Sequence, residues 1–145
     1  MAGMVKRGDI LKNFICIISG IFGAIIAELF GGWSAALTTL IIFMVIDYAL
    51  GIITGICGKS TKTENGKLSS GAAFSGIVKK FIMLAIIVIA YRLDVLTGTG
   101  YMLRDGTAIA FITSECLSII ENAAVMGVPM PAIIKKALEV LKNEK

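Results

Sequence analysis

The chain of 145 residues contains no histidine, two prolines, three cysteines and one tryptophan. With no imidazole and no CxxC pair, neither a zinc site nor a thiol–imidazole nucleophile can be assembled. The thiols are odd in number, and Cys16, Cys57 and Cys116 each lie within or at the end of an apolar block, so they read as small lipid-facing or packing residues. Both prolines, Pro129 and Pro131, fall after the last long apolar block. They interrupt a helix there, because proline supplies no amide hydrogen and clashes with the preceding turn. Charge is also sparse, at 17% of residues. The first apolar block is long and no small-residue cleavage site follows it, which argues against a secretory signal.

What the chain does have is apolar side chains, 57% of the total, with a mean hydropathy of +0.88. Both values lie well above those of soluble domains. Of its 14 basic residues, 12 sit in three polar segments: before residue 13, between residues 59 and 80, and after residue 134. Lys and Arg collect on the cytoplasmic side of membrane proteins. Three basic segments separated by two pairs of apolar blocks describe a chain that crosses a bilayer four times, with both termini cytoplasmic. The net charge of +4 then holds topology and meets anionic headgroups, and no nucleic-acid partner is implied. A chain of this length has room for one domain, spanning 1–145.

The expected architecture is an all-α membrane protein of two helical hairpins with helices at about 14–30, 33–57, 77–96 and 107–128. Gly31 and Gly32 make the tight break of the first hairpin, and Trp33 suits the interfacial aromatic belt. Residues 58–73 read as a flexible cytoplasmic loop in which Ser69 or Ser70 caps the next helix. The third block has an uninterrupted apolar core of only eleven residues, 81–91. It reaches spanning length if Lys79 and Lys80 snorkel to the interface. Residues 97–106 read as an outer loop. A short amphipathic helix at 132–143, with Lys135 and Lys136 on its polar face, suits the inner membrane surface. Lys79, Lys80, Lys135 and Lys136 are the expected topology anchors.

Two small-residue faces stand out. On the first helix Ser19, Gly20, Gly23 and Ala27 lie together, and on the second Gly51 and Gly55 form a GxxxG pattern that permits close helix approach. Such faces serve packing within a protomer or between protomers of a homo-oligomer. Asp47 lies deep in the second block, where a carboxylate costs roughly 2.5–3.5 kcal/mol on insertion scales. It must be protonated, paired or exposed to a water-filled cavity. On the fourth helix Glu115, Ser118 and Asn122 share one face, at i, i+3 and i+7, with Glu121 beside it. These groups must look into the bundle, toward another subunit, or onto water, as one wall of an aqueous pathway would. Glu115 and Glu121 also resemble a catalytic carboxylate pair, but no substrate cleft accompanies them, and the chain reads as no enzyme.

The pattern of Asp47 and Gly51, then Ser70, Gly76, Lys79 and Lys80, then Asp94, resembles the phage holins of the toxin-secretion and lysis group. Residues 115–122 (ECLSIIEN) and 127–131 (GVPMP) are the strongest part of the match, which covers about residues 40–142. The resemblance implies a small phage- or prophage-encoded protein without cofactor or metal. It implies accumulation in the bacterial cytoplasmic membrane and assembly into homo-oligomers. Such assemblies open lesions that release an endolysin, or in some relatives export a toxin, without direct contact with that partner. Two rival classes stay open. One is a small proton- or cation-coupled transporter using Asp47 and Glu115, the other a non-lytic antiholin-type subunit.

Overall fold

The structure, a computed structural model, describes residues 7–134 and 136. Among them it is helical, with no strand: α1 (Arg7–Leu29), α2 (Ala35–Ile56), α3 (Ser70–Thr97) and α4 (Met102–Val125). Each of the four is long and apolar enough to cross a membrane. The chain divides into two compact units, residues up to 33 and residues from 34 onward.

In the first unit, α1 begins at Arg7 rather than at residue 14, because charged residues continue a helix as readily as apolar ones. Asp9 stands in its first turn, where a carboxylate favours the helix dipole. Ser19, Gly20 and Gly23 are exposed and Ala27 is partly so. The helix ends in glycines at positive φ, Gly31 (70°) and Gly32 (91°), whose amides turn back to Glu28 and Ala27. Only glycine enters that backbone region without strain.

In the second unit, Ser34 caps α2 by accepting a hydrogen bond from the Leu37 amide at 3.2 Å. Helix α4 packs against both α2 and α3, which touch each other little. Leu37, Leu40 and Met44 from α2 meet Ile87 and Ala90 from α3 and Ala108 from α4 to form the apolar core. The buried polar residues are as numerous: Asp47, Thr54, Asp94, Arg104, Glu115 and Asn122. Large apolar residues such as Ile42, Val45, Phe74, Phe81 and Ile109 face outward. A lipid solvent explains the inversion, since hydrocarbon accepts apolar surface while polar side chains gain only by meeting each other.

The third segment is long and apolar enough for a full span. Helix α3 runs 28 residues, about 42 Å at 1.5 Å per residue, and the eleven-residue apolar core is its middle. Its first turns begin at Ser70 rather than at residue 77. Ser69 holds the N-cap position, but its side chain makes no capping bond.

The polar segment between α2 and α3 is ordered, not a loose linker. Lys59 donates to the Thr54 carbonyl at 2.9 Å, Ser60 to Gly66 at 2.8 Å and Leu68 to Gly55 at 2.9 Å. Gly66 adopts φ 69°, and a Cβ there would stand 2.4 Å from the Gly58 carbonyl oxygen.

The turn between α3 and α4 is shorter than expected, because α4 begins at Met102 and takes in Arg104 and Asp105. The cause is Asp94. This α3 carboxylate accepts from the amides of Leu103 (3.0 Å) and Arg104 (2.8 Å) and from the Thr99 hydroxyl. It supplies the cap that Tyr101, at the N-cap position, does not. Arg104 is buried with its guanidinium 4.1 Å from the Tyr101 ring centre, and that ring stacks on Tyr91. Of the amphipathic helix expected at 132–143, residues 132–134 and 136 are helical, Lys136 is exposed, and the rest, Lys135 included, lies outside the described residues.

Candidate functional site

Asp47, Lys80, Glu115 and Asn122 come from three different helices and converge inside the second unit. The Lys80 ammonium donates to Asp47 Oδ2 at 2.9 Å and to Glu115 Oε2 in a close ion pair. The side-chain amide of Asn122 donates to the other Asp47 oxygen at 3.3 Å. A second lysine, Lys62, reaches in from the loop and lies 3.8 Å from Asp47 while donating to the Ser118 hydroxyl at 3.2 Å. Asp47 and Glu115 keep side-chain exposures of 8% and 9%, and Lys80 16%, so the central groups are largely shielded. Two acids and two bases balance to zero net charge.

Helical phase makes the convergence possible. Glu115, Ser118 and Asn122 lie on one face of α4, and the structure turns that face toward α2 and α3. Glu121, beside it, is partly exposed. On α2 the same stripe carries Asp47, Gly51 and Gly55. Gly51 borders open space, whereas Gly55 receives the returning loop: a Cβ there would stand 3.0 Å from Leu68 Cα. Within the chain, then, this GxxxG seats the loop rather than a helix.

The two α3 lysines part company. Lys79 is exposed, as an interfacial anchor would be, but Lys80 turns inward and its charge is spent on carboxylates. The reading of Lys80 as a headgroup anchor is corrected accordingly: adjacent helical residues differ by about 100°, and here that turn carries Lys80 toward Asp47 and Glu115 while Lys79 stays exposed. Sequence reasoning missed Lys80 and Lys62 as partners of Asp47. The signal was present in the requirement that a membrane-depth carboxylate be paired, together with an extra lysine near the start of the neighbouring span.

Beside the cluster lies a cavity of about 730 Å³. Asp47, Lys80 and Glu115 line it, as do Lys62 and Lys67 from the loop and Lys79 from α3. Roughly 14 Å of helix separates Asp47 from the end of α2, so the cavity runs from the loop end of the unit inward to the charge cluster. Among the described residues no group of three His, Cys, Asp or Glu side chains is placed to hold a metal ion. Cys16 and Cys57 are exposed and Cys116 partly so, each a free thiol.

Four spanning helices, an apolar exterior and an interior charge cluster define a multi-pass helical membrane protein. The model of the bacteriophage holin family matches residues 24–143, most of the chain, and the chain belongs to that family, which is not an enzyme family. An uncharacterised protein of Clostridium perfringens is 35% identical over 133 residues, covering 90% of this chain and 93% of that protein. Another C. perfringens protein, an uncharacterised 14.9 kDa protein of the nagH 3′ region, is 37% identical over 85% of this chain and 89% of its own. The uncharacterised protein YqxH of Bacillus subtilis is 34% identical over 81% of this chain and 78% of its own. No solved structure matches.

Proposed function

We propose that this protein is a holin in action as well as in family: it oligomerises in the bacterial cytoplasmic membrane and opens lesions through which an endolysin, or an exported toxin, leaves the cell. Both termini and the 57–69 loop then face the cytoplasm, as the distribution of Lys and Arg favours. The observation that carries the mechanism is the charge cluster joining α2, α3 and α4. In the single chain its polar groups are satisfied and turned away from lipid, the arrangement a protomer needs to accumulate harmlessly. In an assembly the same groups are available to face water at a lesion rim, while the outward Ile, Leu and Phe residues remain against lipid. Burial against other protein and exposure to water both satisfy these groups, so the two arrangements differ little in free energy, as bistable assemblies require. Small-residue faces at Ser19, Gly20, Gly23 and Ala27 offer protomers a close approach.

Inducible expression with and without a cytoplasmic endolysin tests this reading, following culture turbidity and membrane potential. Potential should collapse abruptly in both cultures and turbidity should fall only with endolysin present. Glu115→Leu combined with Asn122→Leu should insert normally and delay or abolish lysis; unchanged lysis timing would remove the polar face from the lesion. The cavity reaching Asp47 and Glu115 favours one rival, a proton- or cation-coupled transporter. Cells would tolerate induction of a transporter. A non-lytic antiholin-type subunit would leave turbidity and potential unchanged even with endolysin.

A further inference from the structure

We propose that the cavity between α2, α3, α4 and the loop binds the phosphate headgroup of an anionic membrane phospholipid. This requires only a chain embedded in a bilayer and does not depend on lesion formation. Volume is the first observation: about 730 Å³ lies within the usual range for sites that enclose a small ligand. The second is charge. Four lysines, Lys62, Lys67, Lys79 and Lys80, and three acids, Asp47, Glu115 and Glu121, line the cavity, and Lys67 and Lys79 enter no ion pair among the described residues. That lining carries one more positive than negative group, and two ammonium groups outside the ion pairs suit a phosphate monoanion.

The third observation is the chemistry of the remaining wall. Ile52, Leu68, Ala72, Met83 and Leu117 line the cavity too, an apolar surface that an acyl chain fills and an inorganic ion does not. Location agrees, because the cavity opens near the loop end of two spanning helices, at headgroup level. Lys62 reaches from the loop to Asp47 and Ser118 along one wall of this space.

The full-length chain, purified from bacterial membranes in mild detergent, is examined by native mass spectrometry. It is then exchanged into nanodiscs of phosphatidylglycerol or phosphatidylcholine. One phosphatidylglycerol per protomer should be retained, and phosphatidylcholine should not. Lys67→Gln with Lys79→Gln should lower retention roughly thirtyfold, the scale for two basic residues facing an anionic lipid. Gly51→Leu should lower it by filling the space, since a Cβ there meets no atom within 4 Å; this keeps the test alive if the double variant fails to fold. Lys59→Gln changes an exposed lysine of the same loop that does not line the cavity, and retention should not change. No retained lipid, equal loss with Lys59→Gln, or complete displacement by inorganic phosphate would overturn the proposal. The second outcome means general surface attraction and the third a site for the free ion.

Discussion

Two buried acids on neighbouring spans are satisfied in opposite ways. Asp94 is held by backbone: the amides of Leu103 and Arg104, with the Thr99 hydroxyl, consume its oxygens in a turn of a few residues. Asp47 is held by side chains alone, Lys80, Asn122 and Lys62, brought from two other helices and a loop. Roughly 21 Å of α3 separates Lys80 from Asp94. Backbone amides have fixed positions, so the Asp94 end is a structural joint. Side-chain partners on flexible stems rotate and exchange, and those at the other end border a cavity. Similar burial and the same residue type therefore do not imply the same work.

The two acids should part most clearly in Lys80→Met, which leaves Asp47 and Glu115 facing each other without their shared cation. Removing one partner of a buried ion network costs about 3–5 kcal/mol. Thermal unfolding of the purified protein should show a loss of that size, and Lys80→Arg should recover most of it. A Lys80→Met protein as stable as the parent would mean that the cluster is a surface feature. Asp94→Ala should cost about 1–2 kcal/mol, the scale of a lost helix cap. Its signature is faster hydrogen exchange at the Leu103 and Arg104 amides, with lysis timing shifted no more than protein abundance explains. If Asp94→Ala instead abolished lysis at normal abundance, the division of labour drawn here would fail.

Gly66→Ala forces a non-glycine residue into the left-handed region at about 1–2 kcal/mol and brings its Cβ against the Gly58 carbonyl. Trypsin should then cut sooner at Lys59, Lys62 and Lys67; unchanged cleavage would show the loop already loose. The smallest effect belongs to Lys62→Gln. Its side chain is 53% exposed, so the pair with Asp47 is worth less than about 1 kcal/mol. A larger loss in a double-mutant cycle with Asp47→Asn would make Lys62 part of the central cluster.

Much of this was legible in the sequence. Hydropathy and the placement of basic residues are solvent effects, which is why four spanning helices could be read without any contact information. The polar stripe of Glu115, Ser118 and Asn122 was visible for the same reason, since helical phase alone places it. What stayed hidden depends on pairs far apart in the chain. Asp47 required a partner, but nothing local nominates Lys80, 33 positions later. Lys79 and Lys80 look alike until one helix face is known to be inward. Asp94 appeared as one residue of the family pattern and not as a cap, because a cap on the following helix needs the turn to be closed first. The loop read as flexible since its order comes from glycine geometry and backbone bonds rather than apolar periodicity.

The Asp94 joint has a mechanical consequence. Stitched at one end through backbone, α3 and α4 behave like tongs welded at the hinge: they can spread only at their free tips. Those tips are where the cavity and the lysine-bridged acids already lie, so whatever prises this protein apart should enter from the side of the 57–69 loop and leave the opposite turn undisturbed.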